Sequence, residues 1–306
     1  MKRFGIITGK QKYVLIYGLD PKTIRPFLLR LLSTGHRQQT TNQEEDMSTA
    51  MQTVSARGAT TAAARTDTER TSPKRLARIA GILYFFVGIF GGFAEGFVDP
   101  KLHNAGNAAA TAATVVANEG LVRMAVIAHF LDGTFFIFLA LALYILLKHV
   151  HKSAARAFVV LVALATGIIC LNAVFEFEGL RVATDSSYAA AFGTGGSNAL
   201  VQLLIDTQHY GTLAAQVFFG LWLVPLGYVA YKSSGMFPKW LGVLLIAGGV
   251  CYLVDLLAAF LVPDLGQKIA SFILIPSAVA EISMVFYLLI IGVKSSTTDQ
   301  RNVAAA

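Results

Sequence analysis

The sequence predicts an all-α fold: a polytopic membrane bundle of six transmembrane helices, with both termini on the cytoplasmic side. Three observations carry that expectation. Of the 306 residues, 55% are hydrophobic and 14% charged, with a mean hydropathy of +0.60, whereas an ordinary soluble domain is about 25% charged. Six apolar stretches follow one another, near residues 76–98, 121–147, 157–178, 199–230, 240–262 and 269–293. Each offers about 20 residues or more, enough to cross a ~30 Å hydrocarbon core as a helix. Finally, the basic residues alternate between the connections. Arg70, Lys74, Arg75 and Arg78 precede the first span, and Lys148, Lys152 and Arg156 follow the second. Lys232 and Lys239 follow the fourth, and Lys294 and Arg301 follow the sixth. The other connections hold only Lys101, Arg123, Arg181 and Lys268, so the positive-inside rule puts both termini in the cytoplasm of a bacterial plasma membrane protein.

The chain divides into an amino-terminal arm (1–72), the membrane domain (73–294) and a short tail (295–306). Residues 1–78 hold 14 Lys and Arg against 6 Asp and Glu, while the remainder holds 11 against 12. The basic excess therefore sits ahead of the first span, where it sets topology or touches anionic lipid rather than nucleic acid. Tyr13–Leu19 is too short and interrupted for a signal-peptide core. Ile24–Leu32 (IRPFLLRLL) can lie on a membrane surface. Gln38–Thr71 and the tail have almost nothing to bury and read as disordered. Met47 and Met51 are alternative starts, so part of the arm reads as upstream sequence.

Within the membrane domain, Gly88, Gly92 and Gly96 recur at four-residue steps on one side of the first span. That small-residue face suits close helix packing, within the bundle or between two copies, and leaves the oligomeric state open. The connection Pro100–Gly120 predicts a short helix over the bundle. Gly179–Asn198, with Gly193, Gly195 and Gly196, predicts a flexible cover. Pro225 and Pro276 predict kinks in the fourth and sixth spans. Cys170 and Cys251 lie inside apolar spans without metal-ligand spacing and read as small apolar residues.

Every span carries an acidic residue: Glu95, Asp132, Glu176, Asp206, Asp255 and Glu281. A charged carboxylate costs at least ~2.5 kcal/mol at a bilayer centre, so six of them mark function or paired structure. Counted from the inner basic residues at ~1.5 Å each, Glu95, Asp132, Glu176, Asp255 and Glu281, with His209, fall in the outer half of the membrane. His129 and Asp132 are three apart, as are Asp206 and His209, so each pair shares a helix face. Several readings stay open. The groups can tie helices together by hydrogen bonds, in a scaffold without chemistry, or line a polar cavity of a proton- or cation-coupled transport protein. Alternatively, His129, Asp132, Asp206 and His209 can hold zinc, with Glu95 or Glu176 activating its water in an intramembrane hydrolase. A haem between His129 and His209 is disfavoured by the surrounding carboxylates. No cofactor is required by any motif.

The segments RLARIAGILYFFVGIFGGFAEGFV (Arg75–Val98), NAAATAATVVANEGLVRMAVIAHFLDG (Asn107–Gly133) and HYGTLAAQVFFGLWLVPLGYVAYKSSGMFPKWLGVLLIAGGVCYLVD (His209–Asp255) resemble the DUF4386 family. These are bacterial multi-pass membrane proteins of uncharacterised function. The resemblance covers about Lys74 to Val293. It implies the membrane topology and no catalytic residue.

Overall fold

A computed structural model describes residues 72–293, and every element among them is helical. The arm through residue 71 and the tail from residue 294 lie outside the described residues. So do the expectations placed on Ile24–Leu32, Met47, Met51, Arg70, Lys294 and Arg301.

Local chemistry sets the helix starts. Helix α1 (Pro73–Phe93) opens with proline at its first position, and the Ser72 hydroxyl accepts from the Arg75 N–H at 3.2 Å. It runs on through a π-helical turn (Ala94–Val98) into the short α2 (Asp99–Leu102), making one continuous 30-residue stretch. Helix α3 (Ala108–Ala117) is the expected short helix, capped by Asn107 accepting from Ala110 N–H at 3.0 Å. Then come α4 (Glu119–Leu147), α5 (Lys152–Thr184) and α6 (Ser186–Lys232). The Asp185 carboxylate caps α6 through the Ser187 N–H at 2.9 Å, and that bond holds its carboxyl below the usual range. Helix α7 (Lys239–Leu261) precedes α8 (Pro263–Ile273) and α9 (Ile275–Phe286), which ends in a second π turn (Tyr287–Ile291).

Five helices are long and apolar enough to cross a bilayer, and six if Pro263–Ala270 and Ile275–Ile291 form one span bent by 43°. The bend lies just before Pro276, which sits in the first turn of α9, where its missing N–H costs nothing. Pro225 lies inside α6, which continues past it. The glycine-rich connection differs from the flexible cover expected. Helix α5 reaches Thr184, α6 begins at Ser186, and the one break is Gly193, whose φ of 72° a glycine adopts without a Cβ clash.

The long helices turn large apolar side chains outward, among them Phe85, Ile127, Val160, Leu203, Leu257 and Ile282. Such surfaces suit contact with a lipid bilayer. Because lipid is as apolar as these side chains, close packing must hold the helices together. Helices α6 and α7 show how. A Cβ on Gly249 would lie 2.5 Å from the Gly220 carbonyl oxygen, and one on Gly242 would lie 2.7 Å from that of Gly227. Two glycines, seven residues apart on each helix, thus let the antiparallel backbones touch. Gly88, Gly92 and Gly96 are different: a Cβ on any of them would meet nothing within 4 Å, so this face points out of the bundle.

Inside, the end of the bundle near Lys148, Lys152, Lys232 and Lys239 is filled by apolar side chains. Trp222 is central there, with its ring 5.0 Å from Phe136 and 5.8 Å from Tyr84, both edge-on. A smaller apolar cluster, including Val98, Leu102, Val115, Leu180 and Ile205, stands at the α3 end. The polar groups lie between and beside these two clusters.

Candidate metal centre

The π-helical turn in the first long helix introduces the site. A π turn adds a residue to the turn, and each added residue rotates the downstream side chains by about 100° around the axis. Past that turn, Asp99 faces the bundle interior with its side chain 11% exposed. There it meets His129 of α4 and Glu176 of α5, each 1% exposed. His129 Nε2 lies 3.4 Å from Asp99 Oδ2 and 3.6 Å from Glu176 Oε2. One ligand atom from each residue falls within 4.8 Å of the other two. A fourth helix joins through Gln208 of α6, whose amide donates to Asp99 Oδ2.

These groups converge without satisfying one another. Asp99 Oδ1, both ring nitrogens of His129 and both carboxyl oxygens of Glu176 are buried with no hydrogen-bond partner among the described residues. A buried polar atom in that state costs about 1–3 kcal/mol, and native proteins hold few of them. One ligand atom from each of three helices, in a set that leaves five buried atoms unpartnered, describes a binding site better than a structural tie. Imidazole with two carboxylates is a donor set for a divalent transition metal.

The remaining sequence candidates fall into distinct surroundings. Glu95, one turn before Asp99, is half-buried and near enough to Asp132 and His129 for their charges to interact. Asp132 is 4% exposed, with Oδ1 unpartnered, and fits against Gly91, where a Cβ would stand 3.4 Å from that oxygen. Asp255 is buried beside Gln216. Glu281 is fully engaged: it accepts from Tyr84 at 2.8 Å and Tyr252 at 3.0 Å, tying α1, α7 and α9 together. Asp206 pairs with His103 Nε2 at 2.9 Å and accepts from Gln202. His209 stacks on His103, with ring centroids 4.1 Å apart. The four residues His129, Asp132, Asp206 and His209 therefore do not gather around one point. His129 belongs with Asp99 and Glu176, and Asp206 and His209 belong with His103.

Asp99, His103, Gln202 and Gln208 are the residues that a search for acids and histidines inside apolar spans passes over. Asp99 closes its span against Pro100, and His103 lies beyond it. For Asp99 and His103 a four-residue spacing from Glu95 was present in the sequence, but the π turn and the extended His103 keep a regular helix from placing the three on one face.

Residues 79–292 match the family described as "Domain of unknown function (DUF4386)", and all members of the centre lie in that range. The chain belongs to the DUF4386 family. Among curated relatives, an "Uncharacterized protein" of Archaeoglobus fulgidus is 40% identical to this DUF4386 chain over 74 residues. The match covers 24% of this chain and 43% of the relative, so the chain spans less than half of that relative's length. No solved structure matches.

Proposed function

We propose that this DUF4386 chain is a membrane-embedded metalloprotein whose Asp99–His129–Glu176 centre activates water, as a hydrolase of lipid-type esters or amides. The observation that carries this reading is the convergence of one ligand atom from each of Asp99, His129 and Glu176, on three helices, in a set that holds five unpartnered buried atoms. A divalent ion, zinc first, would take one nitrogen of His129 and one oxygen each from Asp99 and Glu176. Three protein ligands leave a coordination position for water, the pattern of catalytic rather than structural zinc sites. An ion held there would act as a Lewis acid and make its water easier to deprotonate, and Glu95 and Asp132 are the neighbouring carboxylates that would take up the proton. In such a hydrolysis the water oxygen would add to the substrate carbonyl carbon, the ester or amide bond would break, and the carboxylate would return the proton to the leaving group.

A coupled transporter is the competing reading, and packing weighs against it. The polar groups occupy the α3 half of the bundle, while the apolar cluster around Trp222 fills the basic end. A path through the membrane would have to cross that cluster. A one-sided chemical site needs no such crossing. The alternation of Lys and Arg supports six spans with both termini cytoplasmic, which turns the centre towards the outer half of the plasma membrane.

Metal analysis of the purified protein tests the proposal. The expected result is about one zinc per chain, lost in Glu176→Gln and His129→Ala, with hydrolysis of a fluorogenic lipid ester or amide panel lost in parallel. Zinc near zero in the parent protein, under metal-replete purification, overturns the reading.

A further inference from the structure

A cavity of about 520 Å³ lies at the basic end of the bundle, between the connection from α6 to α7 and the π turn Tyr287–Ile291. Its size is that of a small-ligand site. The connection beside it is firmly built. The Ser233 hydroxyl donates to the Ala230 carbonyl at 2.6 Å and accepts from the Phe237 N–H at 3.1 Å. Tyr287 donates to the Met236 carbonyl at 2.9 Å, and its ring lies 5.4 Å from that of Phe237. The lining joins a cation to an apolar wall. Lys239 holds its ammonium 5.6 Å from the centre of the Tyr231 ring, while Trp240 and Ile291 are 57% and 44% exposed. Helix α7 also starts there without a side-chain cap, which leaves first-turn N–H groups as further donors.

We propose that this cavity binds an anionic phospholipid, with the phosphate on Lys239 and an acyl chain along Trp240 and Ile291. Charge complementarity selects the headgroup. The connections at this end, residues 73–78, 148–156 and 232–239, hold eight Lys and Arg and no Asp or Glu. The arginine–carboxylate pairs among the described residues, Arg123–Glu119 and Arg181–Glu178, lie elsewhere, so nothing described neutralises Lys239. An anion must come from outside, and the amino-terminal arm is a poor source because base outnumbers acid in it. The apolar wall selects a lipid over a soluble anion, since phosphate alone gains nothing from an exposed indole and isoleucine. Position agrees as well. Lys239 and Trp240 open a spanning helix, at the level where lysine meets headgroups and tryptophan sits between headgroup and chain. The site is independent of the Asp99–His129–Glu176 centre and stands or falls apart from it.

Tryptophan quenching tests the site, because Trp240 lines it and the other tryptophan, Trp222, is buried in the core. The full chain is reconstituted in phosphatidylcholine nanodiscs containing increasing phosphatidylglycerol with brominated chains. Brominated phosphatidylcholine gives the reference. The parent should reach half-quenching at about a fifth of the mole fraction that phosphatidylcholine needs, the preference one lysine near the surface supplies. Lys239→Gln should abolish that preference. Lys148→Gln, at the end of α4 and outside the cavity, should keep it. The phosphatidylcholine reference reads the same Trp240 and should not move in either variant, which separates a lost headgroup contact from a disturbed fold. Equal quenching of the parent by the two lipids overturns the proposal. An equal loss of preference in Lys148→Gln also overturns it, since a diffuse basic face would then suffice. Inorganic phosphate that removes the preference, where chloride of equal ionic strength does not, overturns the lipid as occupant.

Discussion

Interior glutamates at two positions, one buried and one half-buried, should respond to the same substitution with opposite sign. Glu281 accepts two tyrosine hydroxyls, so Glu281→Met strands the buried hydroxyls of Tyr84 and Tyr252. Hydrogen bonds between membrane helices average ~0.6 kcal/mol and reach ~1.7 kcal/mol, which sets the loss at about 1–3 kcal/mol for the two together. Glu176, by contrast, holds two oxygens without partners at 1% exposure. Removing them relieves about 1–3 kcal/mol per atom before relaxation, and methionine nearly conserves the volume. In chelator, Glu176→Met should therefore gain about 1–3 kcal/mol, roughly 2–4 °C per kcal/mol in a chain of this size. Zinc narrows the gap between the two variants. At a hundredfold excess over its dissociation constant, binding adds about 2.7 kcal/mol to the parent and to Glu281→Met, and nothing to Glu176→Met. Thermal unfolding in detergent, with chelator and then with zinc, reads both effects. A loss in chelator for Glu176→Met as large as that for Glu281→Met refutes the reasoning, because Glu176 would then be held by structural bonds.

Named contacts set three further outcomes. Gln208→Leu removes the amide that orients Asp99 and should weaken zinc binding about 10- to 100-fold, by competition titration, while leaving the stripped protein folded. Gly249→Ala should cost about 1–3 kcal/mol in thermal unfolding, since its Cβ would lie 2.5 Å from the Gly220 oxygen. Gly88→Ala meets open space and should be neutral or gain up to about 1 kcal/mol. For topology, single cysteines at Asn104 and Ser153 are compared in a Cys170→Ala/Cys251→Ala background. An impermeant maleimide should label position 104 in intact cells and position 153 only after permeabilisation; the reverse pattern overturns the orientation.

The helical architecture was legible because length and apolarity are strong constraints in a membrane. A spanning segment must satisfy its own backbone hydrogen bonds, so about 20 apolar residues leave a helix as the simplest solution. The short α3 was legible for a related reason: Asn107, ahead of an Ala- and Thr-rich run, is a cap signal. What composition concealed was continuity. Gly193, Gly195 and Gly196 suggested a flexible cover, yet only Gly193 leaves helical geometry, because α5 and α6 pack along their length and hold the rest in register. Glycine played an opposite part in packing. The Gly88, Gly92 and Gly96 stripe stood out by its spacing but faces outward. Gly220, Gly227, Gly242 and Gly249, spread over two spans, form the actual contact. Spacing on one helix reports what a face permits, and only the partner helix determines whether it is used.

The same asymmetry governs the centre. His129 and Glu176 were visible as isolated polar residues in apolar runs, where the cost of burial makes them conspicuous. Their partner Asp99 was not, because it sits at the end of a span, where a carboxylate costs little. Nothing in the sequence marks the π turn that carries Asp99 inward, and a regular α-helix would aim that residue elsewhere by about 100°. Same-helix spacing then favours the pair His129/Asp132, which the fold gives to different surroundings, whereas Asp206 and His209 both meet the cross-helix partner His103. Neighbours at three residues share a face but project side by side, so they seldom enclose a point. A set that encloses one must come from several helices. Asp99, His129 and Glu176 come from three, with Gln208 from a fourth, and that is why their unpartnered atoms indicate a ligand where Glu281, saturated by two tyrosines, indicates a strut.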